Sequence, residues 1–465
     1  MAEAASTQVK ILESTRIKPP PDPPNSATEV SLQLTFADTF WFKIAPVERL
    51  FFYQLDNSTS TPAYFNSEIL PKLKHSLSLS LLHHLPLAGN LKWPSDSPKP
   101  FILYTPNDGV SLTVAETNAD FDRLSSNGID EALELHPLMP QLISSYDSAS
   151  ILALQITLFP NKGFCIGITA HHTALDGKTT TMFMKSWAYL CNQENSALPI
   201  ELTPFFDRNI IKDPTGFDLD MLYLNQWLTN DGSASEPEIT KNKTLKISTD
   251  EGEAPNLVRA TFDIRPEDFK KLRERVLLSK SSEEEQLHLS KFVLTLAYVA
   301  TCMIKARVEN NRDVLFGFTA DCRSRLDPPV PQTYFGNCNT IFTKIVKAAD
   351  FMDENGFALA VKQVSDMVKK LETRSGVFEG AKEKLTPIFH IGPIQLITVA
   401  GSPHFDVYGS DFGWGRPCKV EIVSIDKNGA ISMAESRDGS RGIEVGLALK
   451  KHEMERFSSL FLKNI

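Results

Sequence analysis

The sequence predicts an α/β protein folded as two domains. Three observations lead there. The chain has 465 residues, and a single hydrophobic core stops growing at about 250–300 residues. Apolar runs of strand period alternate with helical stripes in both the first and the second half. Between the halves, residues 192–256 are rich in Asn, Pro, Asp, Ser and Thr with only short apolar islands, the composition of a crossover.

In chain order, the Pro-rich stretch 18–24 reads as an extended lead-in. In residues 30–35, Val30, Leu32 and Leu34 alternate with polar neighbours as a strand does, and folding proper is expected to start there. Residues 69–85 carry apolar positions at helical spacing and end at the stop signals Pro86 and Gly89, with His83 and His84 as structural residues. Residues 151–168 hold two apolar runs split by Pro160, Asn161 and Gly163, a β-hairpin pattern. After Asp176 and Gly177 the period changes, and Phe183, Trp187 and Leu190 form the stripe of an amphipathic helix. The second half predicts helices over 266–276, 290–306 and 356–371, and strands over 257–264, 314–319, 419–425 and 443–449. No short-period repeat is present. The expected division is an N-terminal domain over 1–195, a linker over 196–250 and a C-terminal domain over 251–465.

Composition narrows the function. A net charge of -9 and a pI near 5.7 argue against nucleic acid as the main partner, because phosphate binding needs clustered Lys and Arg. The opening MAEAASTQVK has no apolar stretch of signal-peptide type, and the longest uncharged apolar run, residues 292–304, is too short to span a bilayer and reads as a buried helix. Six scattered cysteines form no CxxC pair, which fits a reducing, cytoplasmic setting. Sequons at Asn57 and Asn242 carry no weight without a secretory signal.

The chemistry centres on His171-His172-Thr173-Ala174-Leu175-Asp176-Gly177, at a strand-to-helix turn where sites of α/β proteins lie. A neutral imidazole at His172 can take a proton from an alcohol as it attacks a carbonyl. Asp176, past a tight turn, can pair with a cation and fix the loop. HxxxD alone is weak: among ten His, chance places an Asp four residues on roughly half the time at average composition. The adjacent His, the following Gly and the strand end raise it. A metal site is disfavoured because adjacent His side chains diverge on an extended segment. A phosphate loop ending in Gly177-Lys178-Thr179 fails because its first glycine would be His172.

A second constellation is Asp411-Phe412-Gly413-Trp414-Gly415. A kinase would also need an HRD loop and a Gly-rich loop, and neither is present. The segment is then either a Gly-permitted turn with a packed Trp or a loop whose indole N–H reaches an oxyanion.

HHTALDG together with DFGWG resembles the plant BAHD acyltransferases, and LPLAGNL (85–91), ADCRSR (320–325) and YFGNC (334–338) stand in that family's order. The resemblance covers essentially the whole chain. It implies the two-domain α/β fold of CoA-dependent acyltransferases (chloramphenicol acetyltransferase-like), mixed sheets with flanking helices and a channel between the domains. Coenzyme A would enter from one side and the acceptor from the other. No bound cofactor is implied; the acyl-CoA is a co-substrate and transfer is direct, in a ternary complex. His172 and Asp411 are then the catalytic positions. Asp176 is structural, paired with Arg323 or, failing that, Arg325. Gly177, Gly413 and Trp414 support the site, the Trp414 indole donating to the tetrahedral intermediate, while Cys165 and Cys338 are structural. The implied partners are an acyl-CoA and a small-molecule glycoside, with no nucleic acid or membrane and a monomeric enzyme.

YFGNC and LQLTFADTFWF look like the branch that acylates sugars of phenolic and flavonoid glucosides, and HHTALDGKTTTMFMKSWAYLC looks most like its malonyltransferases. Ala37 departs from a usual Phe and Ala300 from a usual aromatic, which bears on pocket shape and donor choice. Donor-binding candidates are Lys178, Ser290 and Lys291. Lys178 opposes the macrodipole at its helix start, and a malonyl carboxylate would give such a charge a reason. Arg208 and Arg416 are alternative clamps. The competing readings are an enzyme using coumaroyl-CoA on the same glycosides and an inactive binding protein on this fold.

Overall fold

The computed structural model describes residues 8–21, 29–194, 196–229, 243–247, 256–279, 287–307, 312–373, 376–389 and 394–463. Asn242 and the end of the Pro-rich stretch lie outside them.

The hairpin over 151–168 is present as strands Leu152–Phe159 and Gly163–Ala170, joined through a turn with Asn161 at positive φ. Every residue of both strands is buried, which is why they read as continuous apolar runs rather than as an alternation. They form the middle of a six-stranded sheet in the order Val9–Ile17, Val110–Thr117, Leu152–Phe159, Gly163–Ala170, Val47–Gln54, Lys419–Ile422. The chain therefore pairs before Val30, contrary to expectation. Strand Val9–Ile17 is an edge strand with Ile11 66% exposed, so its side chains announce no core face although its backbone is paired to Val110–Thr117.

The last strand of this sheet, Lys419–Ile422, comes from the second half of the chain and pairs with Val47–Gln54. The exchange is reciprocal. The C-terminal five-stranded sheet runs Val399–Gly401, Ile431–Glu435, Ile443–Lys450, Leu257–Ile264, Asp130–Glu131, and its last member comes from the first half.

Two large apolar cores result. In the first, helix Gly177–Gln193 packs on helix Leu70–His83, with the Trp187 indole N–H donating to the Leu73 carbonyl at 3.1 Å. In the second, helix Lys291–Arg307 is buried along nearly its whole length, as its uncharged run predicts. Ala300 lies in that core, fully covered, so its small side chain bears on helix packing rather than on pocket shape. Helices Pro266–Leu278 and Gly356–Leu371 and strands Leu257–Ile264, Asp313–Asp321 and Ile443–Lys450 stand where the sequence predicts them.

Three features depart further from the expectation. The helix begun at Leu70 ends at His83, before Pro86, because a separate turn, Leu85–Ala88, follows. Strand Lys419–Ile422 stops short of Ile425, which opens a helical turn. The crossover contains a helix, Leu219–Thr229, whose Leu219, Tyr223, Leu224, Trp227 and Leu228 are buried. Among the described residues no helix is long and apolar enough to cross a membrane.

Candidate active site

His171 and His172 follow the last residue of strand Gly163–Ala170, and helix Gly177–Gln193 starts five residues later. The turn between them is held by Asp176. Its Oδ1 accepts the Thr179 backbone N–H at 2.8 Å, capping the helix, and its Oδ2 accepts from Arg323 Nη1 at 2.8 Å and from the Cys338 N–H at 3.2 Å. Arg323 is completely buried. It also donates to the carbonyls of Tyr334 and Gly336, so one guanidinium ties the HHTALDG turn to the YFGNC segment. Burial alone would raise the Asp176 pKa, but Arg323 and the hydrogen bonds from Thr179 together outweigh it and hold the carboxyl below its ordinary value. Arg325 is not the partner; it donates to the Asp321 carbonyl.

Room is short at Gly177: a Cβ there would lie 2.8 Å from the Phe405 ring and 3.0 Å from Arg49 Nη2, so a larger residue would force one of these side chains to move.

His171 is covered, and burial lowers its pKa to about 3. Its N–H donates to the Ile151 carbonyl and its Nδ1 accepts from the Thr173 N–H, a structural role. His172 keeps part of its surface open, and burial still lowers it to about 4. It is therefore neutral near pH 7, the state a proton acceptor needs. With Asp176 committed to Arg323, the ring is oriented by something else. The indole of Trp41 lies flat on it, centroids 4.2 Å apart and planes 8° from parallel, and Trp41 Nε1 donates to Asn339 Oδ1 at 2.7 Å. Asn337 donates to the His172 carbonyl at 2.9 Å. Asp38, buried, accepts from Asn337 and from Arg208. Arg208 is thereby committed to Asp38 and Tyr334.

Near this stack lies a small, largely apolar cavity lined by Asn339, Thr340, Cys338, Ala37, Phe40 and Tyr223 among others. Ala37, unlike Ala300, does shape the pocket wall. Trp41, Asp38, Asn337 and Asn339 were not singled out in the sequence. Asp38, Trp41 and Asn337 lay inside stretches already quoted, LQLTFADTFWF and YFGNC, and Asn339 one residue beyond, as polar or aromatic residues embedded in apolar strings.

The DFGWG segment stands elsewhere. Asn192, at the far end of helix Gly177–Gln193, donates to the Asp411 carbonyl at 3.4 Å; Phe412 packs edge-on against Trp187 and Tyr53; and Trp414 meets Phe164 edge-on. Fifteen residues of helix at 1.5 Å each put this loop about 22 Å from Gly177. Six strand steps from Phe164 to Ala170 measure about 20 Å. Two independent rulers agree. The placement of the Trp414 indole at an oxyanion beside His172, and of Asp411 as a catalytic group there, is therefore corrected: these side chains cannot span that distance. Asp411 Oδ1 accepts from the Gly413 and Gly415 N–H groups at 2.8 and 3.1 Å, closing a turn in which Gly413 takes φ +103°, a conformation that favours glycine.

The donor-binding candidates are also occupied. Lys178 pairs with Asp321 at 3.0 Å and with Gln332, which supplies the charge its helix start lacks. Ser290 Oγ accepts from the Val293 N–H at 3.3 Å, starting helix Lys291–Arg307. Lys291 donates to the Arg441 carbonyl and lies over Phe269. Arg416 is exposed on the distant DFGWG loop. Among the described residues no three His, Cys, Asp or Glu side chains group as metal ligands.

Mixed sheets with flanking helices and a half-open histidine at a strand-to-helix turn fit one class, the CoA-dependent acyltransferases, to which the family match assigns the chain. The fold is that of vinorine synthase, whose crystal structure aligns over 98% of both chains with a TM-score of 0.69 at 21% identity. The Transferase family model matches residues 7–463, and the chain belongs to this family, the BAHD acyltransferases. It is 47% identical to phenolic glucoside malonyltransferase 1 of Arabidopsis thaliana, covering 100% of this chain and 99% of that one. It is also 44% identical to an agmatine coumaroyltransferase of the same plant, over 98% and 99%.

Proposed function

We propose that the protein transfers malonyl from malonyl-CoA to a sugar hydroxyl of a phenolic or flavonoid glucoside, as a cytoplasmic monomer. The reading is carried by the 47% identity, end to end, with a phenolic glucoside malonyltransferase. The quoted stretches support it. The division into 1–195, 196–250 and 251–465 belongs to the same proposal, with the substrates meeting between the two large parts.

In this mechanism His172 takes the proton of the sugar hydroxyl as its oxygen attacks the thioester carbonyl. The His172 Nδ1 is buried, which leaves Nε2 for the substrate. Collapse of the tetrahedral intermediate breaks the C–S bond, and the imidazolium returns its proton to the departing thiolate. Trp41, flat against the ring, fixes its plane, and its π face favours the transient cation by about 0.5–1 kcal/mol or more. Asp176 and Arg323 hold the turn without touching the reacting atoms.

The test is a panel of malonyl-, acetyl- and coumaroyl-CoA against phenolic glucosides and agmatine. Malonyl-CoA with a glucoside is expected to give the highest kcat/KM. The coumaroyltransferase relative makes an aromatic donor the second reading, and faster turnover with coumaroyl-CoA would replace the first. No turnover with any pair would favour the binding-protein reading.

A further inference from the structure

Asn337 is fully buried, and one end of its amide faces three oxygens. Nδ2 lies 2.9 Å from the His172 carbonyl, 3.1 Å from the Thr173 carbonyl and 3.1 Å from Asp38 Oδ1. Carbonyl and ion-paired carboxylate oxygens offer no proton, so the atom that meets all three is the NH2 group. The orientation of the amide is thereby fixed by chemistry, with its oxygen turned the other way. Asp38 Oδ1 also accepts the Asn337 backbone N–H at 3.1 Å, so one carboxylate grips Asn337 by backbone and side chain. Asp38 is held in turn, its Oδ2 accepting from Arg208 and from the Thr35 N–H and hydroxyl, each at 2.9 Å.

Asn337 Oδ1 is buried, and none of these contacts uses it; His172 Nδ1 is buried as well. Burial lowers the His172 pKa to about 4, opposed by hydrogen bonds with its own backbone and with the Asn337 side chain that favour the protonated ring. The groups around Nδ1 are therefore acceptors: the His172 carbonyl, which Asn337 Nδ2 holds in place, and the oxygen of the same amide. A ring nitrogen flanked by acceptors keeps its proton, and the other nitrogen then carries the lone pair. The indole of Trp41 sets the plane of the ring, but a contact on the face does not choose between tautomers.

We propose that Asn337 is the positioning residue that selects the tautomer of the base. Its amide oxygen, with the His172 carbonyl that its amide nitrogen clamps, holds the proton on Nδ1 and presents the Nε2 lone pair to the sugar hydroxyl. This rests on the reading of His172 as general base and adds what aims it. A neutral amide suits the task, because a carboxylate in its place would favour the imidazolium and retain the proton that the departing thiolate needs.

The test compares the wild type with Asn337→Leu, which keeps the branched outline and removes both polar atoms. Nitrogen-15 spectra of histidine-labelled protein read the tautomer without substrate, the His172 signals being those absent from His172→Ala. Near pH 7 the wild type should show the Nδ1–H tautomer, and Asn337→Leu a mixture with the Nε2–H form. In Asn337→Leu kcat should fall about 10–10²-fold, as when a histidine loses its orienting partner in a metal site. KM should change little, because Asn337 does not touch the substrates. A residue that only packs would lower the melting temperature and leave the tautomer as it was. An Nε2–H tautomer in the wild type would overturn the proposal. So would an Asn337→Leu protein that folds and keeps either the pure Nδ1–H form or the wild-type kcat. If Asn337→Leu does not fold, the wild-type spectrum decides. Absence of turnover with every donor would instead strike the function reading, since the spectra need no substrate.

Discussion

HHTALDG and DFGWG both mark the chain as a family member, yet the two loops have opposite physical situations. The first sits beside a cavity with a half-open, neutral histidine under an indole. The second, about 20 Å away at the other end of the same strand, is closed on its own Asp411 and packed into the first core through Phe412. How well a motif identifies a family says little about its distance from the chemistry. A buried aromatic and two glycines in one turn are as exacting for packing as a histidine is for proton transfer.

The comparison is broken most directly at His172. His172→Ala should lower kcat about 10²–10⁴-fold, the usual cost of a lost general base, with an unchanged melting temperature; near-full turnover would remove the assignment. Asp176→Ala should lose activity together with about 3–5 kcal/mol of stability, because Arg323 would be left buried and unpaired. A variant that melts like the wild type would make Asp176 something other than structural. Trp414→Phe sharpens the contrast: kcat should stay within a few-fold, whereas an oxyanion donor would cost about 10²–10³-fold. Denaturant midpoints and kcat measured on the same preparations separate these cases.

The remaining prediction is in pH. His84, His171 and His172 are held neutral by burial at about 4, 3 and 4, below the ordinary value near 6.5. A depressed folded-state pKa means the unfolded chain binds these protons first. The stability they contribute is therefore full above about pH 6.5 and lost as pH falls toward 4. The activity of the neutral base should persist below pH 6 and fall only nearer pH 4. An acid limb centred at 6.5 would show His172 to be solvated instead.

Much of this was legible before any coordinates. The hairpin and helix Gly356–Leu371 carried patterns set by burial of whole faces. Arg323 was legible only through the family resemblance, which implies an Arg of ADCRSR as the partner of Asp176. Strand Val9–Ile17 was not, since an edge strand earns its place through backbone pairing and leaves side chains such as Ile11 in solvent. Helix Leu219–Thr229 was hidden by apolar residues too evenly spread to mark one face. Trp41 was hidden because an aromatic in an apolar string looks like core until its neighbour is known to be His172.

The exchanged strands have a consequence for substrate entry. Lys419–Ile422 is hydrogen-bonded into the sheet that carries His172, and Asp130–Glu131 into the opposite sheet. Swinging the halves apart like a jaw would tear both seams at once, breaking backbone hydrogen bonds that have no alternative partners inside the protein. The halves behave as pieces of cloth sewn at two edges. Substrates are therefore expected to reach the base with both seams intact.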